Sequence, residues 1–189
     1  MKSILYIHGF NSSPLSVKAE VTKQYLAEHH ADVNFICPQI KSSPLAAISQ
    51  LKSILQQAPQ TQWYIMGSSL GGYFSTYLAE QFGLKAVLIN PAVKPFELLK
   101  DYLGEQQNPY TNEQYQVTEQ HIEDLRALYS EKISKKQYMV MVQTGDEVLD
   151  YQQAVARYHE CHLIVQQGGD HSFVDYENML PEIMTFFGI

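Results

Sequence analysis

The chain has 189 residues, 45% of them hydrophobic, and a formal net charge of −7. That length and apolar share predict one α/β domain spanning residues 1–189 with a substantial core, and they exclude wholesale disorder. The acidic balance, with Lys and Arg scattered singly apart from Lys135–Lys136, excludes a basic stripe for nucleic acid and opposes binding to an anionic membrane surface.

The chain opens with a strand candidate, Ser3–Ile7, whose apolar run is too short for a signal peptide and is broken by His8. No later stretch approaches the length needed to span a bilayer. A cytoplasmic location is therefore expected, with Cys37 and Cys161 as free thiols. Ser12-Ser13-Pro14-Leu15 leads into a helix over Leu15–His30, and Ser42-Ser43-Pro44-Leu45 into one over Leu45–Gln57. In each, a serine caps a helix whose first residue is the proline, which has no N–H to leave unpaired there. A strand over Val33–Cys37 lies between them. Trp63–Met66 is the third strand candidate and runs into a helix over Leu70–Phe82, followed by a strand over Ala86–Ile89. Lys94–Lys136 then breaks the rhythm. It is polar and rich in Tyr, Gln and Asn, with one helix candidate at Thr118–Ser130, and reads as a small helical lid insertion. The alternation resumes with a strand over Tyr138–Gln143, a helix over Tyr151–Tyr158 capped by Asp150, a strand over His162–Gln166 and a helix over Leu180–Phe187. Nearly continuous apolar strands suit a parallel sheet covered on both faces, so the expected architecture is a mainly parallel six-stranded sheet with helices on both sides.

The chemistry collects at strand ends. Gly67-Ser68-Ser69-Leu70-Gly71 is a G-x-S-x-G sequence between a strand and a helix, the context that exposes a central serine hydroxyl on a sharp turn. Ser69 is the candidate nucleophile, and Ser68 sits one position too early. An acyl-transfer site also needs two N–H donors for the developing oxyanion. The N–H of Leu70 supplies one, and that of Phe10, after the first strand in His8-Gly9-Phe10-Asn11, supplies the other. If the first strand is central, with the second and third strands on either side of it, these two loops flank the point where strand order reverses. Of the seven histidines, His171 alone follows the last strand on the edge that carries Ser69, and it is the candidate base. Asp146, at the end of the preceding strand, is the candidate acid that orients it, with Glu147 as a substitute. Asp170 adjoins His171 but points elsewhere on an extended loop. The order Ser69, Asp146, His171 is that of an α/β-hydrolase.

The stretches Tyr6–Pro14, Met66–Tyr73, Asn90-Pro91-Ala92, Thr144–Tyr151 and Gly168–Phe173 resemble the α/β-hydrolase family, and more closely its small bacterial YqiA-type esterases. The lid region matches least. The resemblance implies a serine esterase or thioesterase acting on small-molecule acyl esters or thioesters, without cofactor or metal. It implies Ser69 as nucleophile, Asp146 as acid, His171 as base, and Phe10 and Leu70 as oxyanion donors. Larger members carry a leading antiparallel hairpin that is missing here, which makes a homodimer through an edge or the lid an open expectation.

Three other readings stand beside this one. The scaffold can serve as a non-catalytic binding module, and acyl transfer to an acceptor other than water uses the same groups. A metal enzyme could use His159, Cys161 and His162, with Asp170 and His171, although that spacing matches no standard zinc motif. Acyl-chain selection would fall to lid residues such as Tyr102, Tyr110, Tyr115 and Tyr129, which can equally pack the lid against the core.

Overall fold

The computed structural model describes residues 1–189. In chain order the elements are β1 (Lys2–Ile7), α1 (Val17–His29), β2 (Val33–Ile36), α2 (Pro44–Gln57), β3 (Gln62–Ser69), α3 (Leu70–Phe82), β4 (Ala86–Pro91), α4 (Pro95–Leu98), β5 (Gly104–Gln107), β6 (Gln114–Val117), α5 (Glu119–Ala127), β7 (Tyr138–Gln143), α6 (Tyr151–Tyr158), β8 (His162–Gln166) and α7 (Leu180–Phe187). Six strands form one sheet in the order β2-β1-β3-β4-β7-β8. Every neighbouring pair in it is parallel. β1 is therefore flanked by β2 and β3, the arrangement that puts the loops after β1 and β3 at the reversal of strand order.

The period-2 geometry of the strands divides the core into two layers. Leu5, Ile7, Ile65, Leu88 and Val140 point to one face, where they meet Ala47 and Leu51 of α2, Phe74 and Leu78 of α3, and Leu125 of α5. Ile4, Tyr6, Met66, Val87 and Met139 point to the other, against Leu26 of α1 and Ile183 and Phe187 of α7. Burial on both faces is why these strands read as unbroken apolar runs rather than as an alternation.

Two local expectations change. The first helix starts at Val17, not Leu15, because the Ser13 hydroxyl accepts the Leu15 N–H at 3.0 Å and closes a local turn containing Pro14. Pro44 does open α2 directly after Ser43, though that serine makes no side-chain cap bond. The insertion is also not only helical. Besides α4, a 3-10 turn at Leu99–Tyr102 and α5, it holds the antiparallel hairpin β5–β6. The Asn108 side chain shapes the hairpin loop, its Oδ1 accepting the N–H groups of Tyr110 and Thr111 at 2.8 and 3.2 Å. Asn112 there takes a left-handed φ of 59°. At the far end of the chain, Asp150 caps α6 as expected, accepting the Gln152 N–H at 3.0 Å.

Candidate active site

Ser69 ends β3 and caps α3 with φ 55° and ψ −121°, a conformation rarely taken by an L-residue. The reversal is tight because its neighbours lack side chains. A Cβ on Gly67 would fall on the Ser75 hydroxyl and the Gly71 carbonyl, and one on Gly71 would fall on the Ile7 carbonyl of β1. Pressing α3 onto β1 in this way lifts the Ser69 side chain out of the sheet edge.

The loop after β1 closes over the same point. Gly9 lies so near that a Cβ on it would stand 3.2 Å from the Ser69 Cβ. The Phe10 N–H donates no bond to backbone or side chain, and Leu70, as first residue of α3, has no carbonyl one turn earlier to receive its N–H. His8 fixes this loop. It is 4% exposed, its Nε2 accepts the Ile40 N–H at 3.1 Å, and its Nδ1 faces the Gly9 carbonyl at 3.0 Å. The bond from Ile40 assigns the ring proton to Nδ1. Burial pushes the His8 pKa below its ordinary value, against the opposing effect of the Gly9 carbonyl, and favours the neutral ring.

His171 Nε2 stands 3.2 Å from Ser69 Oγ, and His171 Nδ1 stands 2.8 Å from Asp146 Oδ2. The Asp146 side chain is 2% exposed. Burial alone would raise its pKa, but hydrogen bonds from the His171 ring and from the Leu149 and Val148 N–H groups hold it below the usual carboxylate value. An ionised Asp146 keeps the His171 proton on Nδ1 and leaves Nε2 free to accept from the serine. A hydroxyl, an imidazole and a carboxylate linked in this order can carry out nucleophilic attack with proton removal. Glu147, the alternative acid, accepts the His171 backbone N–H at 3.0 Å and does not reach its ring by hydrogen bond.

Two buried amides to which the sequence assigned no role, Asn90 of the Asn90-Pro91-Ala92 stretch and Gln143, hold the His171 loop. Asn90 Nδ2 donates to the Asp170 and His171 carbonyls at 3.0 and 3.1 Å, while its Oδ1 accepts the Gln143 N–H at 3.0 Å. Gln143 Oε1 accepts the Asp170 and Val174 N–H groups at 3.1 and 2.9 Å, and its Nε2 donates to the Val174 carbonyl at 2.8 Å. An Asn and a Gln at the carboxyl ends of apolar strands were the available signal.

Ser69 separates two cavities. One of 330 Å³ is lined mainly by Phe10, Leu70, Pro95, Leu98, Leu99 and Leu149. The other, of 260 Å³, is polar and contains His171, Lys18 and Tyr110. Among the lid tyrosines, Tyr102 reaches the first cavity and Tyr110 the second. Tyr115 instead donates to Asn11 Oδ1 at 2.6 Å, and Tyr129 packs edge-on against Phe96. The residues of the metal reading do not converge: His159 Nδ1 faces the Ala156 carbonyl and His162 Nε2 faces Glu182.

Residues 3–188 match the family described as "Uncharacterised protein family (UPF0227)". The chain belongs to the UPF0227 family. A UPF0227 protein of Shewanella woodyi is 25% identical over 187 residues, covering 97% of this chain and 98% of the relative. Solved structures share the fold at lower identity. Alpha/beta hydrolase domain-containing protein 10 from mouse superposes with a TM-score of 0.77 at 16% identity, covering 98% of this chain and 89% of that one. Est1E from Butyrivibrio proteoclasticus gives 0.74 at 14% identity, covering 99% of this chain and 86% of that one. This UPF0227 chain thus has the α/β-hydrolase fold, with the mainly parallel six-stranded sheet expected from its sequence. No helix is long and apolar enough to cross a membrane.

Proposed function

We propose that this UPF0227 protein is a serine hydrolase that cleaves carboxylic esters or thioesters of apolar acyl groups through an acyl-enzyme on Ser69. The observation that carries the reading is the continuous hydrogen-bonded path from Ser69 Oγ through His171 to the buried Asp146. His171 Nε2 takes the Oγ proton as the bond from Oγ to the acyl carbon forms. The carbonyl oxygen becomes an oxyanion within reach of the Phe10 and Leu70 N–H groups. Collapse breaks the bond to the leaving oxygen or sulfur, which receives the proton from Nε2. Water then attacks the acyl carbon, giving a proton to Nε2, and the second collapse frees the acid and returns that proton to Ser69. The 330 Å³ apolar cavity beside Ser69 suits the acyl chain.

Turnover of an aryl butyrate by the Ser69→Ala variant tests this. The expected result is a fall of about 10⁴-fold or more in kcat with the circular dichroism spectrum unchanged. Undiminished kcat in that variant would exclude Ser69 as the nucleophile.

A further inference from the structure

The two cavities beside Ser69 are chemically unlike, and the mechanism decides which side each half of the substrate takes. The leaving atom must receive its proton from His171 Nε2, so the leaving group lies on the His171 side. His171 lines the polar 260 Å³ cavity and is absent from the walls of the apolar one. The cation in the polar cavity is Lys18, in the first turn of α1. Its Nζ donates to the Ser172 carbonyl at 2.9 Å and takes part in none of the ion pairs of the molecule. An ammonium has three protons to donate. A partly buried one held by a single carbonyl, with carboxylates nearby but none at ion-pair distance, keeps donors free for an incoming anion. Burial pulls the Lys18 pKa down while Asp170 and Asp146, the nearby carboxylates, push it back toward the charged form. Asn11, Ser12 and Tyr110 complete a wall of hydrogen-bonding groups around it.

We propose that the polar cavity binds a leaving group carrying an anion, a carboxylate or a phosphate, with Lys18 Nζ as its counter-charge. The substrate class becomes an ester with an apolar acyl half and an anionic alcohol half, an assignment that rests on the serine hydrolase reading.

Three butyrate esters test it in the wild type and in Lys18→Met: phenyl butyrate, 4-(butyryloxy)benzoate and 4-(butyryloxy)phenyl phosphate. The ratio of kcat/KM for an anionic ester to that for phenyl butyrate is expected to fall by about 10- to 100-fold in the variant, the scale of a hydrogen bond to a charged group. A fall confined to the benzoate assigns a carboxylate, and one confined to the phosphate ester assigns a phosphate. Ratios unchanged for both anionic esters overturn the proposal and reduce Lys18 to a tie between α1 and the His171 loop. Calorimetric binding of 4-hydroxybenzoate and 4-hydroxyphenyl phosphate to wild type and variant reads the cavity without turnover. Weaker binding to Lys18→Met supports the anion site even if no ester is cleaved, an outcome that would count against the hydrolase reading alone. Equal or absent binding in both proteins overturns the anion site.

Discussion

Around Ser69 two histidines in the same small volume have different duties. His171 reaches the serine hydroxyl, whereas His8 ties the loop after β2 to the loop after β1 and keeps Gly9 and Phe10 against the serine. The sign of the His8 effect on stability follows from its lowered pKa. The folded protein binds the His8 proton less readily than the unfolded chain, where the ordinary value is 6.5. His8 therefore contributes its full stability above pH 6.5 and loses it as pH falls through the lowered folded value. His8→Gln, which keeps an acceptor for the Ile40 N–H, is expected to show a smaller drop in urea midpoint between pH 7.5 and pH 5 than the wild type. An identical acid-side drop in both proteins would contradict a neutral buried His8. In the sequence His8-Gly9 was readable as the start of the loop that carries Phe10, but the partner of the His8 ring, Ile40, belongs to a loop after another strand.

At the scale of elements, the strand ends carry the site and a buried amide network sets their spacing. The convergence of Ser69, Asp146 and His171 was legible because each stands at or within a few residues of the carboxyl end of an apolar strand, and in a parallel sheet all such ends lie on one edge. Asn90 and Gln143 follow the same rule; Asn90 stands in one of the stretches that carry the family resemblance, but neither residue's role was readable, since their hydrogen-bond partners include backbone groups of the distant His171 loop. Gln143→Leu would leave the Asp170 and Val174 N–H groups without their acceptor in a part-buried setting. It is expected to lower stability by about 1–3 kcal/mol per stranded group. Loss of loop position should also lower kcat more than it changes KM for a short-chain ester. Denaturant midpoints together with steady-state kinetics check both, and a wild-type kcat in a folded Gln143→Leu protein would show that this network does not position His171. The hairpin β5–β6 was the least legible element. β5 is polar throughout, and β6, although it turns Tyr115 and Val117 toward the core and Gln114 and Gln116 to solvent, offers only four residues in which to read a period of two.

Across the molecule, a parallel sheet buried on both faces supplies a rigid edge, and the segment between β4 and β7 supplies one wall of the apolar cavity through Pro95, Leu98, Leu99, Tyr102 and Leu125. That segment is also fastened to the loop after β1, by Tyr115 to Asn11 Oδ1 and by Asn108 Nδ2 to the Ser12 carbonyl at 2.9 Å. From the sequence only the place of β1 between β2 and β3 was supposed, which the sheet has; the order of β4, β7 and β8 beyond β3 was not read. The division of the site into an apolar and a cationic half was not legible either, because Lys18 joins it from α1, far in sequence from Ser69 and His171. Whether Ser69 is an activated nucleophile is tested most directly by reaction with a fluorophosphonate followed by mass analysis of the intact and digested protein. One adduct per chain on Ser69, lost in His171→Ala, is the predicted result. An unmodified Ser69 in folded protein, or labelling at Ser68 in its place, would contradict it.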